Sequence, residues 1–347
     1  MTSPFCTIVP PHLLEHLAAS DNPSVAAAAR RTLIADASAR TARVLPRAAA
    51  APAGAPAGPA APRRTIHDAG HRTALPGAKV RDEGEEATPD ATVNRAYAGL
   101  GATFALFRDA FGRDSMDGAG LPLVATVHYD ENYGNAFWNG EQMVFGDGDG
   151  EVFLDFTLPV DVIGHELAHG FTQYTANLEY FSQSGALNES VSDVFGSLVK
   201  QHALGQTADR ADWLIGQGLF HPDVEGTALR SMKAPGTAYD DDVLGKDPQP
   251  AHMDDYVRTS RDNGGVHINS GIPNHAFYLV ATELGGHAWD RAGRIWYDVM
   301  TGGTLTPETR FSEFAAATVA AAKARYGDAA EIQAVTKAWA AVGVPTD

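Results

Sequence analysis

One stretch constrains this chain more than any other. Ala48 to Pro62 is almost entirely Ala, Pro and Gly, and Arg63-Arg64 follows it. Such a stretch has no side chains with which to bury a core and reads as an extended linker. The chain must therefore fold as a short N-terminal piece joined to a large body. The charge divides at the same place. Residues 1–64 carry seven Arg against Glu15, Asp21 and Asp36, a net of +4. The whole chain of 347 residues carries −17, so the remainder carries −21.

The remainder is long enough to bury a substantial core. An acidic body disfavours nucleic acid as a partner, because phosphate neutralisation needs clustered Lys and Arg. Cys6 is the only cysteine, which excludes an intrachain disulfide and a cysteine-rich metal site. No apolar run reaches the roughly 18 residues of a membrane span. The first residues lack the basic start and apolar run of a secretory signal. Cytoplasmic residence, or export by a route without a recognisable signal peptide, is expected.

Pro11–Ala19 and Pro23–Val44 have helical composition. Residues 1–47 are read as a helical segment and 48–64 as the linker. A β-rich lobe is expected over 65–180 and an α-helical lobe over 181–347. Strands are expected at Leu123–Tyr129 and Gln142–Phe145, and a helix near Asn94–Phe111. Long helical patterns run over 160–178, 187–205, 268–285, 289–301 and 311–341. Asp147-Gly148-Asp149-Gly150 reads as a turn. The fold class is α+β.

Within the first long pattern stands His165-Glu166-Leu167-Ala168-His169. Helical positions i and i+4 share a face, so both histidines can ligate one zinc ion, with Glu166 beside that face to take a proton from metal-bound water. A catalytic zinc has three protein ligands and one open position. Glu189 and Asp193 are again spaced i, i+4 on an expected helix. That suits a third ligand, Glu189, and a carboxylate, Asp193, holding a histidine N–H. A solvated acidic face is the alternative for this pair.

At this point the chain resembles thermolysin and its relatives, the gluzincin neutral metallopeptidases. The resemblance runs from about His71 to Val344. It rests on Asn135-Ala136-Phe137-Trp138-Asn139-Gly140, the His165–His169 motif, Gly185-Ala186-Leu187-Asn188-Glu189, Leu229-Arg230-Ser231-Met232 and Asp262-Asn263-Gly264-Gly265-Val266-His267. Ile8-Val9-Pro10-Pro11-His12-Leu13-Leu14 resembles the short pro-segment of the protealysin-like branch. The resemblance implies a two-lobed fold with the zinc helix between the lobes. It implies one Zn2+, held by His165, His169 and Glu189, with Glu166 as general base. It makes His267 and Tyr180 the oxyanion donors, Asp262 the group that orients His267, and Arg230, Asn135 and Ala136 the binders of substrate backbone. Phe153, Phe156, Val162, Ile215 and Leu229 fall where the family lines the pocket for the residue after the scissile bond. The expected activity is that of a self-processing zinc endopeptidase zymogen, cutting before bulky apolar residues, monomeric, secreted, and inhibited by its own residues 1–64.

Three features depart from that pattern or compete with it. The family's calcium sites are degraded: Asp161 and Asp212 remain, but Lys200, Leu214, Gln217 and Thr227 replace expected ligands. Lys200 is expected to substitute for calcium by pairing with Asp161 and Asp212. His12-Leu13-Leu14-Glu15-His16 matches the inverted zinc motif H-x-x-E-H, but is read as one face of an amphipathic helix. Cys6 is either a thiolate for the open zinc position or a small buried contact residue.

Overall fold

The computed structural model describes residues 6–44, 60–327 and 330–346. The linker lies largely outside the described residues. The chain opens with β1 (Cys6–Thr7), α1 (Pro11–Leu17) and α2 (Pro23–Val44). Next come β2 (Arg64–Arg72), β3 (Ala78–Asp82), α3 (Ala91–Phe111), β4 (Leu123–Tyr129), β5 (Ala136–Trp138) and β6 (Met143–Phe145). The zinc-motif helix is α4 (Val160–Gln173), followed by α5 (Ser182–Leu204). Short strands β7 (Leu214–Ile215), β8 (Arg230–Ser231), β9 (Asp240–Asp241) and β10 (Gly245–Lys246) precede α6 (Asp262–Asn269), α7 (Gly271–Leu284), α8 (Ala292–Thr301), α9 (Phe311–Tyr326) and α10 (Ala330–Ala341). The result is a β-rich N-terminal lobe and a helical C-terminal lobe.

Six strands form one sheet in the order β1-β5-β6-β4-β2-β3. The two central pairings, β2 with β4 and β4 with β6, are parallel, and the others are antiparallel. The outermost strand beside β5 is β1, with Cys6 opposite Trp138 and Thr7 opposite Phe137. An extended N-terminal segment thus completes an edge that would otherwise expose unpaired backbone groups.

Helices α4 and α5 pack closely because glycines meet at their crossing. A Cβ on Gly196 would lie 2.6 Å from the Asp161 carbonyl oxygen, and one on Gly164 would lie 3.0 Å from Val199. This approach brings His165 and His169 against Glu189 and Asp193. One continuous apolar cluster joins both lobes, and Ile8, Val9, Leu13, Leu14 and Leu17 of the N-terminal segment belong to it. Each buried aliphatic side chain contributes roughly 1.5–3 kcal/mol before ordering costs.

The helical expectations need four adjustments. The 160–178 pattern stops at Gln173. The 187–205 helix begins earlier, at Ser182. Its opening Ser182-Gln183-Ser184-Gly185 has turn composition, but Gly185 is there for closeness: a Cβ would meet Val266 at 2.5 Å. The 268–285 helix is preceded by α6, whose first residues are not helical. Asp262, Asn263, Gly264 and Gly265 all have positive φ, from 49° to 86°, so the chain turns sharply before His267. The 311–341 pattern is two helices, the first ending at Gly327 with φ 70°. Among the described residues no helix is long and apolar enough to cross a membrane.

Candidate active site

His165 and His169 project from one face of α4, and their Nε2 atoms converge to 3.1 Å. Glu189, from α5, places Oε2 3.4 Å from His165 Nε2 and Oε1 3.5 Å from His169 Nε2. Tetrahedral zinc–nitrogen and zinc–oxygen bonds of 2.0–2.1 Å put neighbouring ligand atoms about 3.4 Å apart. Each histidine-to-carboxylate separation matches that edge, though through a different Glu189 oxygen, and the two nitrogens sit slightly closer. The opposite ring nitrogens are tied down. His165 Nδ1–H donates to Asp193 Oδ1 at 2.7 Å, and His169 Nδ1–H donates to Asn188 Oδ1 at 2.9 Å, with Ser192 Oγ at 3.0 Å. The two Nε2 atoms are thereby left to face the same point. Glu189 Oε2 and Glu166 Oε1 are buried without a hydrogen-bond partner. Orphaned buried oxygens beside two converging imidazoles fit a dication.

Electrostatics favour ligation at His169, whereas at His165 a dication must displace a proton. Burial pushes His169 down to about 3, so its ring is neutral and ready to ligate. Burial also opposes charging of His165, but Asp193 and Glu189 hold it up at about 9. Burial raises the Glu166 carboxyl to about 8, partly countered by His165 and the Trp138 N–H. That N–H donates to Glu166 Oε2 at 2.9 Å. A bound dication lowers the Glu166 value again.

Asp193 is the hub behind the histidines. Its two oxygens also accept from Arg230 Nε and Nη2, both at 2.8 Å, and from Asn274 Nδ2 at 2.8 Å. The Asp193 carboxyl is held far below its usual range by Arg230 and His165, against the effect of burial. Asn188 and Ser192 as anchors of His169, and Asn274 behind Asp193, were not singled out from the sequence. Asn188 stands beside a candidate ligand, which is the one signal that could have flagged it.

His267 sits beside the same carboxylate, with Nε2 3.6 Å from Glu189 Oε1. Its Nδ1–H donates to Asp262 Oδ1 at 2.6 Å, and Asp262 Oδ2 accepts the His267 backbone N–H at 2.9 Å. Burial would depress this imidazole, but Asp262 and Glu189 hold it up at about 9. Both ring nitrogens are then donors at neutral pH. Tyr180 donates its hydroxyl to Glu189 Oε1, with His267 Nε2 3.2 Å from the phenol oxygen.

The cleft is filled by the N-terminal segment. The Ile8 N–H donates to the Ala136 carbonyl at 3.1 Å. Arg230 Nη1 donates to the Ile8 carbonyl at 2.9 Å. The Val9 N–H donates to Asn135 Oδ1 at 2.9 Å, and His267 Nε2–H donates to the Thr7 carbonyl at 2.9 Å. Asn135 Nδ2 also donates to Asp36 Oδ2 at 3.0 Å, from α2. The Ile8 side chain is fully buried, and Phe153, Phe156, Val162, Ile215 and Leu229 are buried in the same core, which runs through both lobes. Phe153 also borders a small gap with Leu14, Leu17, Ala28 and Ala29 of the N-terminal helices.

Residues 61–173 match the family model for the thermolysin metallopeptidase catalytic domain, and residues 176–344 match that for its alpha-helical domain. The chain belongs to the thermolysin metallopeptidase family. It is 50% identical to an extracellular metalloprotease of Pectobacterium carotovorum subsp. carotovorum over 345 residues, covering 98% of this chain and 97% of that one. It is 52% identical over 283 residues to protease PrtS of Photorhabdus sp. (strain Az29), covering 81% and 76%. Among solved structures it resembles the precursor of protealysin, a metalloproteinase from Serratia proteamaculans. The TM-score is 0.89 and the identity 50%, with 98% and 99% of the two chains covered. The protein is a zinc metalloendopeptidase.

The competing features also find their places. In the inverted motif, His12 Nε2 lies 3.4 Å from the Tyr239 hydroxyl, while Glu15 and His16 are exposed and Leu13 and Leu14 are buried. Its members point in different directions, as an amphipathic helix requires. Lys200 Nζ is 2.7 Å from Asp212 Oδ2 and 3.1 Å from Asp161 Oδ2, with the Leu214 carbonyl at 3.5 Å. Gln217 and Thr227 are exposed.

Proposed function

We propose that the enzyme hydrolyses peptide bonds on the N-terminal side of bulky apolar residues, and that residues 1–64 hold it latent until they are removed by self-cleavage. The observation that carries this reading is the seating of residues 7–9. Their backbone satisfies Asn135, Ala136, Arg230 and His267 in the manner of an extended peptide added to a sheet edge.

In this reading His165, His169 and Glu189 hold the zinc. When bound, the metal supplies a Lewis acid that activates water at neutral pH and polarises the substrate carbonyl. Glu166 accepts the proton of the attacking water and returns it to the departing amine. His267 and Tyr180 donate to the carbonyl oxygen as negative charge develops there. Asp262 keeps His267 charged and oriented. Asn135, Ala136 and Arg230 fix the peptide backbone. Thr7 and Ile8 occupy the register in which a substrate carbonyl would face His267 and the next side chain would enter the apolar pocket. The buried Ile8 side chain supports a preference for Leu, Ile, Phe or Val at that position.

The extracellular description of the relative from Pectobacterium supports secretion. The pairing of Lys200 with Asp161 and Asp212 supports a site stabilised without calcium. The specificity is tested by digesting a mixed peptide library with the processed enzyme and sequencing the new termini by mass spectrometry. Cuts should cluster before Leu, Ile, Phe and Val, and Glu166→Gln should give none. Cuts spread evenly over following residues, or made equally by Glu166→Gln, contradict the assignment.

A further inference from the structure

Residues 7–9 bind the cleft as a substrate does, yet the same segment must keep the enzyme latent. Occupancy alone does not explain that, because a well-seated peptide is the reactant. The residue just before this segment resolves the conflict. Cys6 is 1% exposed, and its thiol, an imidazole nitrogen of His169 and a carboxylate oxygen of Glu189 all lie within 4.8 Å of one another. A Zn–S bond of about 2.3 Å and a Zn–N bond of about 2.0 Å place their two donor atoms no further apart than about 4.3 Å. Sγ therefore lies at the edge of the coordination sphere on the His169 and Glu189 side, and must move toward His165, which is outside this group, to complete the set. A second observation points to a ligand here. Glu189 Oε2 is buried and lacks a hydrogen-bond partner, and it faces His165 Nε2 at 3.4 Å.

We propose that in the full-length chain Cys6 Sγ is the fourth zinc ligand, closing the position a catalytic zinc must leave open. This inference rests on the zymogen reading above and adds the atom that enforces latency. Two features of the structure and one of zinc chemistry support it. The β1–β5 pairing fixes Cys6 opposite Trp138, whose N–H holds Glu166. The Ile8 and Val9 hydrogen bonds to Ala136, Arg230 and Asn135 anchor the chain immediately after Cys6, so Cys6 cannot withdraw alone. Three protein ligands plus one thiolate also complete a closed tetrahedral set of the kind found in structural zinc sites. The exchange balances simply: the thiol forms the Zn–S bond, the metal's water departs, and the thiol proton leaves with it to solvent. Thr7–Ile8 then lies in the cleft with no activated water beside it.

The test uses full-length Glu166→Gln protein, which keeps its N-terminus, with zinc exchanged for cobalt. A thiolate bound to Co2+ gives an intense near-ultraviolet charge-transfer band, and Cys6 is the only cysteine that can supply one. The expected result is a strong band, lost in Glu166→Gln/Cys6→Ser while the metal content stays at one equivalent. The proposal is overturned if Glu166→Gln itself shows no thiolate band, whatever the folding of the double variant. A separate measurement isolates the underlying reading: hydrolysis of a small peptide by wild-type protein before and after processing. A missing band with low activity before processing refutes Cys6 ligation alone. Equal activity before and after processing refutes the zymogen reading itself.

Discussion

The guanidinium of Arg230 donates to the Ile8 carbonyl through Nη1 at 2.9 Å while Nε and Nη2 fork onto Asp193 at 2.8 Å. One buried side chain thus ties the N-terminal segment to the carboxylate that orients His165. Lysine cannot make that fork. Arg230→Lys should raise KM of the processed enzyme about tenfold and weaken latency of the full-length chain in step, since a charge-assisted hydrogen bond contributes about 1.5–3 kcal/mol. Steady-state kinetics and peptide hydrolysis by the full-length chain check both effects. An unchanged KM contradicts the role given to Arg230.

Asp193 serves His165, Arg230 and Asn274 together. Asp193→Ala leaves Arg230 buried without its counter-charge, which should cost about 3–5 kcal/mol of stability. Loss of the His165 partner should also weaken zinc binding about 10–100-fold. Thermal unfolding and a competitive zinc titration measure the two separately. Wild-type zinc affinity in this variant contradicts the orienting role.

Lys200 holds its ammonium between Asp161 and Asp212. In zinc-saturated buffer the wild-type Tm should not respond to added calcium. Lys200→Glu should unfold at a lower temperature without calcium, because three carboxylates then face one another, and should regain stability when calcium is added. A calcium-dependent Tm in the wild type contradicts the substitution of Lys200 for the metal.

His128 offers a pH prediction away from the metal. Its Nδ1 lies 2.9 Å from Asp147 and its Nε2 2.8 Å from Asp90. Asp147 and Asp90 raise its pKa to about 9, against the effect of partial burial. The folded value lies above the unfolded value of about 6.5. The stabilisation is therefore fully present below pH 6.5 and is lost as pH rises through 9. Allowing for solvent screening of the half-buried carboxylates, His128→Gln should cost about 1–2 kcal/mol near pH 6 and little at pH 10. A Tm difference that does not shrink between those pH values contradicts this pairing.

The site was legible where its residues are close in sequence. His165, Glu166 and His169 declare themselves by helical spacing, and Glu189 and Asp193 repeat that spacing on the next helix. Arg230, Tyr180 and His267 come from separate elements, and only resemblance drew them together. Local pattern also carried strand β4 and helix α2. It failed where packing overrides composition, as at Gly185, whose place in α5 is set by Val266. It failed too at Gly327, where a left-handed residue breaks an otherwise continuous helical pattern. The pairing of β1 with β5 joins residues about 130 positions apart, and two residues of strand carry no periodicity. Asp36 illustrates the same limit: alone on α2, it gains meaning only beside Asn135 and Tyr133, both of which donate to it.

The central claim is that the N-terminal segment in the cleft keeps a competent zinc endopeptidase latent. The direct measurement follows purified full-length protein over time, recording intact mass and hydrolysis of a small peptide in the same samples. Activity should begin low and rise in proportion to a shortened species whose new N-terminus lies within or just after residues 48–64, and Glu166→Gln should stay at full length and inactive. Full activity in the uncleaved chain, or normal processing of purified Glu166→Gln, would contradict it.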